Sequence, residues 1–422
     1  MENLYNLKLN ELIKLQFDCD CGKTHAVNAE IDYGGFDVLL SVLKKLKATG
    51  QIVFISSRST FFEYGETILD LISQAGATPL NIILNKKFDN TLENISGLFA
   101  LSGEVSAVVV LDPYLFGVAS YFVSIRNLHL ISMPLTPDAD DVLSPTASIT
   151  FKGKKEKVTS AGYRHVIINT ELLSKAPKES SAIAFASLAS GIISLIDYRM
   201  RGTVGGEKLC KNSYDLVRSC ISGTINILKN KTQNIPVFLI ENRIKLVIAD
   251  IYTDGAILSG SGESCVATLL EPSGKEHYSF SERKLYSAYK LIDLYNIFFK
   301  YPHSNLLYVP DLVERAEGYS RLTGTNEYET LKDINKRALS AKEIDKKLNL
   351  VNQKFLDETQ KLVSMKDKLF SAYLSLGGKE DLLENYTPDE IRRAVYYAPD
   401  TEGCFSVLTL MRDTGILELL KI

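Results

Sequence analysis

The chain has little excess charge of either sign. Across 422 residues, 48 Lys and Arg stand against 51 Asp and Glu, giving a net charge of −3 and a pI near 6.1. That balance argues against a general nucleic-acid or membrane-surface role, which needs a sustained basic field. Long apolar runs are also scarce: none is read as reaching the roughly 18 residues a bilayer span requires, so no membrane span is expected. The opening MENLYNLKLNELIKL contains acidic residues and lacks the basic-then-apolar order of an export signal. Cysteine is sparse, six scattered over the chain. Without a secretion signal these read as reduced thiols of a cytoplasmic protein. Internal repeats and low-complexity segments are absent as well. What is present is 45% hydrophobic and 23% charged sequence, an ordinary globular composition long enough for two cores.

The first local cluster is Cys19-Asp20-Cys21-Gly22-Lys23-Thr24-His25. Its two thiols and imidazole are zinc-type donors. They supply only three ligands, however, and one residue between the cysteines is fewer than usual. A tight hairpin turn at Gly22 is the competing reading.

From Gly34 to Leu135 helical segments alternate with short apolar ones. The expected strands are Gln51–Ser56, Asn81–Leu84, Ser106–Leu111 and His129–Met133. The expected helices are Phe36–Ala48, Tyr64–Gln74, Thr91–Leu101 and Phe116–Ser124. Such alternation predicts a parallel sheet covered on both faces. Ala147–Phe151 and His165–Asn169, joined across a basic turn at Lys152–Lys157, are expected to close this domain. From Lys178 the sequence reads as helical nearly to the end, which places a boundary at 177/178. Lys178–Arg201 is the organising helix, apolar or small almost without break from Ala182 to Ile196. Asp197 is its first charged residue after that run. Between Glu327 and Leu376 one long helix or a helix pair is expected. Its stripe of Leu348, Val351, Phe355, Thr359, Leu362, Met365, Leu369 and Tyr373 suggests a surface for a protein partner.

Several blocks, in order, resemble the sn-glycerol-1-phosphate dehydrogenase branch of the family of dehydroquinate synthases, glycerol dehydrogenases and iron-containing alcohol dehydrogenases. Pro134 to Pro145 is similar to the family's PTAPSMDGYASP loop, and Ala184 to Tyr198 to GFGDLLGKYTALADW. Ser259 to Ser264 is similar to ASGAEH, Phe280-Ser281-Glu282 to HGE, and Ala398-Pro399-Asp400 with Phe405 to Leu410 to APEIRDRYTILDLL. The resemblance implies a dehydroquinate synthase-like fold: an α/β, Rossmann-like nucleotide-binding domain over residues 1–177 and an all-α, metal-site-like domain over 178–422. It also implies NAD(P) and a divalent ion, zinc or nickel, that polarises a substrate alcohol while hydride leaves.

Aligned on those blocks, the family's one aspartate and two histidine ligands fall on Ser187, Ser264 and Phe280. Two are weak neutral hydroxyls at best, and the third has no donor atom. The family's glycine loop falls on Asp112, Pro113 and Tyr114, and Ser56-Ser57-Arg58 stands where an acid would bind ribose. The carboxylates left as acid/base candidates are Asp140, Glu263 and Glu282. Asp140 aligns with a loop aspartate that faces nicotinamide and substrate in the family. The expectation is a degenerate homologue without metal or NAD(P), acting as a structural or regulatory protein and self-associating, by default as a homodimer. Two alternatives stand beside it. One is NAD(P)- and metal-dependent oxidoreduction of glycerol 1-phosphate or dihydroxyacetone phosphate. The other is a metal-independent enzyme using the same cleft.

Overall fold

The computed structural model describes residues 4–47, 50–84, 92–99, 101, 103–139, 142–151, 154–160, 162–227, 234–270, 278–301, 311–324 and 340–420. The chain divides into two compact units. The first holds Met1–Cys19, Lys23–Ser181 and Thr232–Ile251; the second holds Asp20–Gly22, Ala182–Lys231 and Tyr252–Ile422. Compared with a single boundary at 177/178, Thr232–Ile251 groups with the first unit and the turn Asp20–Gly22 with the second.

The first unit opens with α1 (Leu9–Leu12) and the antiparallel hairpin of β1 (Phe17–Asp18) and β2 (Thr24–His25). Then come β3 (Ala29–Tyr33), α2 (Phe36–Lys45), β4 (Gln51–Ser57), α3 (Arg58–Gln74), β5 (Thr78–Leu84), α4 (Leu92–Phe99), β6 (Val105–Val110), α5 (Phe116–Arg126) and β7 (His129–Ser132). The series ends with β8 (Thr146–Phe151), β9 (Lys154–Thr159), β10 (Tyr163–Ile168) and α6 (Thr170–Ser174). Six strands form one parallel sheet in the order β3-β10-β7-β6-β4-β5.

Successive residues of a strand point to opposite faces of a sheet. Ile52 and Phe54 of β4, Ala107 and Val109 of β6, Ile131 of β7 and Ile167 of β10 therefore share a face. They pack in one core with Leu39 and Leu43 of α2 and Ile68 and Ile72 of α3. The intervening Val53, Ile55, Val108, Val110, Leu130 and Val166 are buried too. Both faces are covered, as near-continuous apolar strands require.

One strand assignment needs correction. Lys152–Lys157 is not simply a basic turn, because Lys154–Thr159 is a strand. It pairs antiparallel with β8, outside the main sheet, in the register Thr146↔Thr159 to Phe151↔Lys154. Only β10 enters the parallel sheet, between β3 and β7.

The second unit is helical. The helices from here on are α7 (Lys178–Thr203), α8 (Lys211–Ile227), α9 (Ile235–Tyr252), which groups with the first unit, α10 (Gly262–Leu269), α11 (Phe280–Lys300) and α12 (Leu312–Thr323). They continue with α13 (Ala341–Leu348), α14 (Asn352–Val363), α15 (Lys366–Ser375), α16 (Pro388–Tyr397) and α17 (Val407–Asp413). α7 is long and apolar enough to cross a membrane by length and composition, which corrects the expectation that no such run exists; 83% of its apolar window is buried inside the protein.

The expected long helix after residue 327 is also corrected. Residues 325–339 lie outside the described set, and between Ser340 and Leu376 there are three helices with breaks at 349–351 and 364–365. Their apolar stripe faces inward. Leu348, Phe355, Leu362, Leu369 and Tyr373 are buried, Phe355 stacks on Phe299 of α11 at 5.3 Å, and Asn352 Nδ2 donates to the Phe299 carbonyl at 2.7 Å. That packing removes the observation that suggested a partner surface.

Candidate functional site

In the first unit, β4 leads through α3 outward to β5, while β6 leads through α5 the other way to β7. The carboxyl ends of β4 and β6 thus flank a point where the strand order reverses, the position at which open α/β sheets bind ligands. Two loops meet there. Ser57 caps α3, its Oγ accepting from the Thr60 N–H at 3.1 Å. Asp112, just beyond β6, is buried and accepts from the Ser57 N–H at 2.7 Å, the Thr60 hydroxyl at 2.5 Å and the Ser57 hydroxyl at 3.2 Å.

A helix N-terminus is a natural anion seat, because its first N–H groups lack partners and the helix dipole favours negative charge. Here the protein's own carboxylate takes that seat. Pro113 brings no N–H, and the Tyr114 phenol, raised in pKa mainly by burial, lies beside Asp112. The groups present do not fit a pyrophosphate bound in the way the resemblance implies.

In the second unit, the positions aligned with metal ligands do not fit a divalent ion. Ser187 is a half-buried hydroxyl on α7. Ser264 is buried, and its hydroxyl already donates to the Leu258 carbonyl at 2.8 Å. Phe280 is 41% exposed and has no lone pair to offer. His277 and Asp140 both lie outside the described residues, so neither position is placed.

Glu263 and Glu282 are both fully buried, and the structure gives them different surroundings. Glu282 belongs to a capping box: one oxygen accepts from the Ser279 N–H at 2.7 Å and hydroxyl at 2.9 Å, the other from the Tyr373 hydroxyl at 2.7 Å. Lys379 Nζ adds a contact at 3.5 Å. These bonds make it an anchor for the start of α11. Glu263, in the first turn of α10, accepts from the Ser194 hydroxyl and lies 3.9 Å from Lys284 Nζ. Burial holds its carboxyl above the ordinary range, opposed by Lys284 and by Ser194.

Asp197 lies in the last two turns of α7 and ties three further helices to it. Its carboxylate accepts from the Gly262 N–H of α10 at 2.8 Å, the Val407 N–H of α17 at 2.9 Å and the Tyr295 hydroxyl of α11 at 3.0 Å. Sequence reasoning passed over Ser194 and Lys284 around Glu263. It also passed over the buried network in which Arg315 bonds Asp400 at 2.6 Å and Arg412 lies 3.5 Å from the same carboxylate. Only an arginine inside an apolar stretch could have signalled the latter. Cys265 is a core thiol, raised well above its ordinary pKa by its hydrogen bond to Cys404 and by burial. His165 is buried with Nε2 at 2.8 Å from Asp32.

No protein-family model matches the chain. It is similar to the NAD(P)+ glycerol-1-phosphate dehydrogenase of Thermoplasma volcanium, 23% identical over 255 residues that cover 58% of this chain and 68% of that one. It is also similar to the enzyme of the same name from Bacillus licheniformis, 24% identical over 212 residues, 48% of this chain and 53% of the relative. The match therefore spans only about half the length of that second protein. In structure it is similar to glycerol dehydrogenase from Schizosaccharomyces pombe, with a TM-score of 0.52, 13% identity, and coverage of 82% and 91% of the two chains. The parallel α/β unit and the helical unit thus share the fold of that solved glycerol dehydrogenase. The sequence relatives named above are both glycerol-1-phosphate dehydrogenases.

Proposed function

We propose that this chain is a glycerol-1-phosphate dehydrogenase-like oxidoreductase that interconverts glycerol 1-phosphate and dihydroxyacetone phosphate with NAD(P). The observation carrying this reading is the agreement between its fold and the names of its sequence relatives. On this reading Glu263 is the buried group that holds or moves a proton, its raised pKa keeping it protonated further up the pH scale than an ordinary carboxyl. Ser187, Ser264 and Phe280 do not offer the donor set of the family's metal, so no step runs through a metal.

A second reading is favoured by a specific observation. Asp112 fills the N-terminus of α3 where a phosphate would sit, and the aligned ligand positions lack donors. On that reading the chain keeps the family fold without metal-dependent hydride transfer and has a structural or regulatory role. One experiment separates the two. Purified chain, supplied with zinc or nickel, is given NADH or NADPH and dihydroxyacetone phosphate, and a parallel sample is screened for thermal shift with each nucleotide. Turnover with either nucleotide supports the first reading. Absence of both turnover and shift, where saturation at 100 times Kd would add about 2.7 kcal/mol, sinks the first and leaves the second.

A further inference from the structure

We infer that Cys404 and Cys265 form an oxidation-sensitive pair, in which Cys404 reacts first with a hydroperoxide and Cys265 then closes a disulfide on it. Both are free thiols of the second unit, and a hydrogen bond joins their side chains. The segments that carry them are fastened to each other through the main chain. The Phe405 N–H donates to the Gly260 carbonyl at 3.1 Å. The Asp197 carboxylate accepts from the Gly262 N–H at 2.8 Å with one oxygen and from the Val407 N–H at 2.9 Å with the other. A Cβ built on Gly260 would meet the Gly403 carbonyl oxygen at 2.5 Å, so the two backbones approach more closely there than a side chain allows. Cys265 is tied to the same segment, its N–H donating to the Ser261 carbonyl at 3.0 Å. These bonds keep the thiols side by side. Formation of an S–S bond, about 2.05 Å long, draws the sulfurs together from hydrogen-bond distance.

The surroundings give the two sulfurs different roles. Cys265 is buried on α10 and keeps its proton. Its bond to Cys404, its burial and the nearby Glu263 and Asp197 all push the thiol up. Cys404 is shifted the other way. The bond from Cys265 lowers it most, burial opposes this, and Ser406, Thr409 and the Arg412 charge add to the lowering. Its Sγ lies 3.7 Å from Ser406 Oγ. Cys404 is half-buried and follows the exposed residues Glu402 and Gly403, which gives a small oxidant its approach. A stabilised thiolate beside a resolving thiol is the arrangement that reversible thiol oxidation uses. The Cys404 thiolate attacks one oxygen of hydrogen peroxide, the O–O bond breaks, and the departing hydroxide takes a proton from solvent to become water. Cys404 is then a sulfenic acid. The Cys265 sulfur attacks the Cys404 sulfur, the S–O bond breaks, and the oxygen leaves as water with the Cys265 proton. The two cysteines lose two electrons, and one peroxide becomes two waters. This chemistry uses only the two thiols and stands apart from the oxidoreductase reading.

The test uses the full chain, purified reduced and then exposed to hydrogen peroxide, with the remaining thiols alkylated and the peptides mapped by mass. Two of the six thiols are expected to disappear together, in one linked peptide that joins Cys265 to Cys404 and that dithiothreitol separates. In Cys265→Ala, Cys404 is expected to stop at the sulfenic acid, where dimedone captures it. In Cys404→Ala, Cys265 should lose its thiol at least about tenfold more slowly than in the wild type. Wild-type chain that forms no Cys265–Cys404 disulfide at a peroxide dose that oxidises free cysteine overturns the inference, as does an unchanged rate at Cys265 in Cys404→Ala. In denaturing urea the preference for this pair should vanish, and a preference that persists there overturns the geometric account. Should the variants fail to fold, the peptide map of the wild type decides alone.

Discussion

A Cβ placed on Gly262 would lie 2.3 Å from the Tyr295 hydroxyl and 3.2 Å from Asp197 Oδ2. The glycine is needed because the first turn of α10 presents its N–H directly to a carboxylate that is also held by α11 and α17. Gly262→Ala is expected to destabilise the protein by about 2–3 kcal/mol through this overpacking. Adding Tyr295→Phe, which removes the clashing oxygen, should restore part of the loss in a urea-melt double-mutant cycle; strict additivity would defeat the account.

The neighbouring Glu263 gives a pH signature. Its folded pKa is raised from 4.5 by burial, so the folded state favours the protonated form. The associated stability is complete below the unfolded value and is lost as pH climbs through the folded pKa. Glu263→Gln keeps a neutral side chain at every pH. Its Tm should therefore fall less than the wild type's between about pH 5 and pH 8, and superimposable profiles would count against the assignment. Asp197 is raised in the same direction, first by burial and second by Glu263; the burial contribution is common to both proteins, and Glu263→Gln removes the second.

At the scale of elements, α3 and β6 are joined through Asp112. Asp112→Ala leaves the Ser57 N–H and the Thr60 hydroxyl without their acceptor and removes a charge from a helix N-terminus. The expected cost is about 2–4 kcal/mol, read from the denaturant midpoint. A change below about 0.5 kcal/mol would show that this carboxylate does not hold the loops together. The α/β alternation was legible because strands buried on both faces read as continuous apolar runs, and each helix between them carries its own apolar stripe. The charged strand Lys154–Thr159 was not, because its place depends on cross-strand pairing with β8 rather than on its own propensity. The stripe from Leu348 to Tyr373 was read as apolar, and α11 packs against it. Periodicity shows which face is apolar but cannot tell that α11 covers it.

At the scale of the whole molecule, what the sequence hid was brought together by long separations. Lys284 of α11 and Ser194 of α7 flank Glu263 of α10 from different helices. The block Ala398-Pro399-Asp400 was legible as a family likeness but not as a structural group. Its carboxylate is fully buried, held by Arg315 through bonds of 2.6 and 3.0 Å and approached by Arg412 at 3.5 Å. Arg315 also donates to the Tyr396 carbonyl at 2.8 Å, and Arg412 to the Pro399 carbonyl at 3.3 Å. One acid thus fastens α12, α16 and α17 within the second unit. Desolvating three charges is expensive, so the network's net worth against an apolar replacement is small, whereas removing one member strands the others. Asp400→Ala should accordingly cost about 3–5 kcal/mol, because two buried guanidinium groups lose their shared acceptor. The double variant Arg315→Met, Asp400→Leu, in which Arg412 keeps its buried 2.7 Å pair with Asp413, should be markedly more stable than Asp400→Ala alone. Urea melts of both proteins decide: equal losses would mean that the carboxylate matters for its shape and not for its charge.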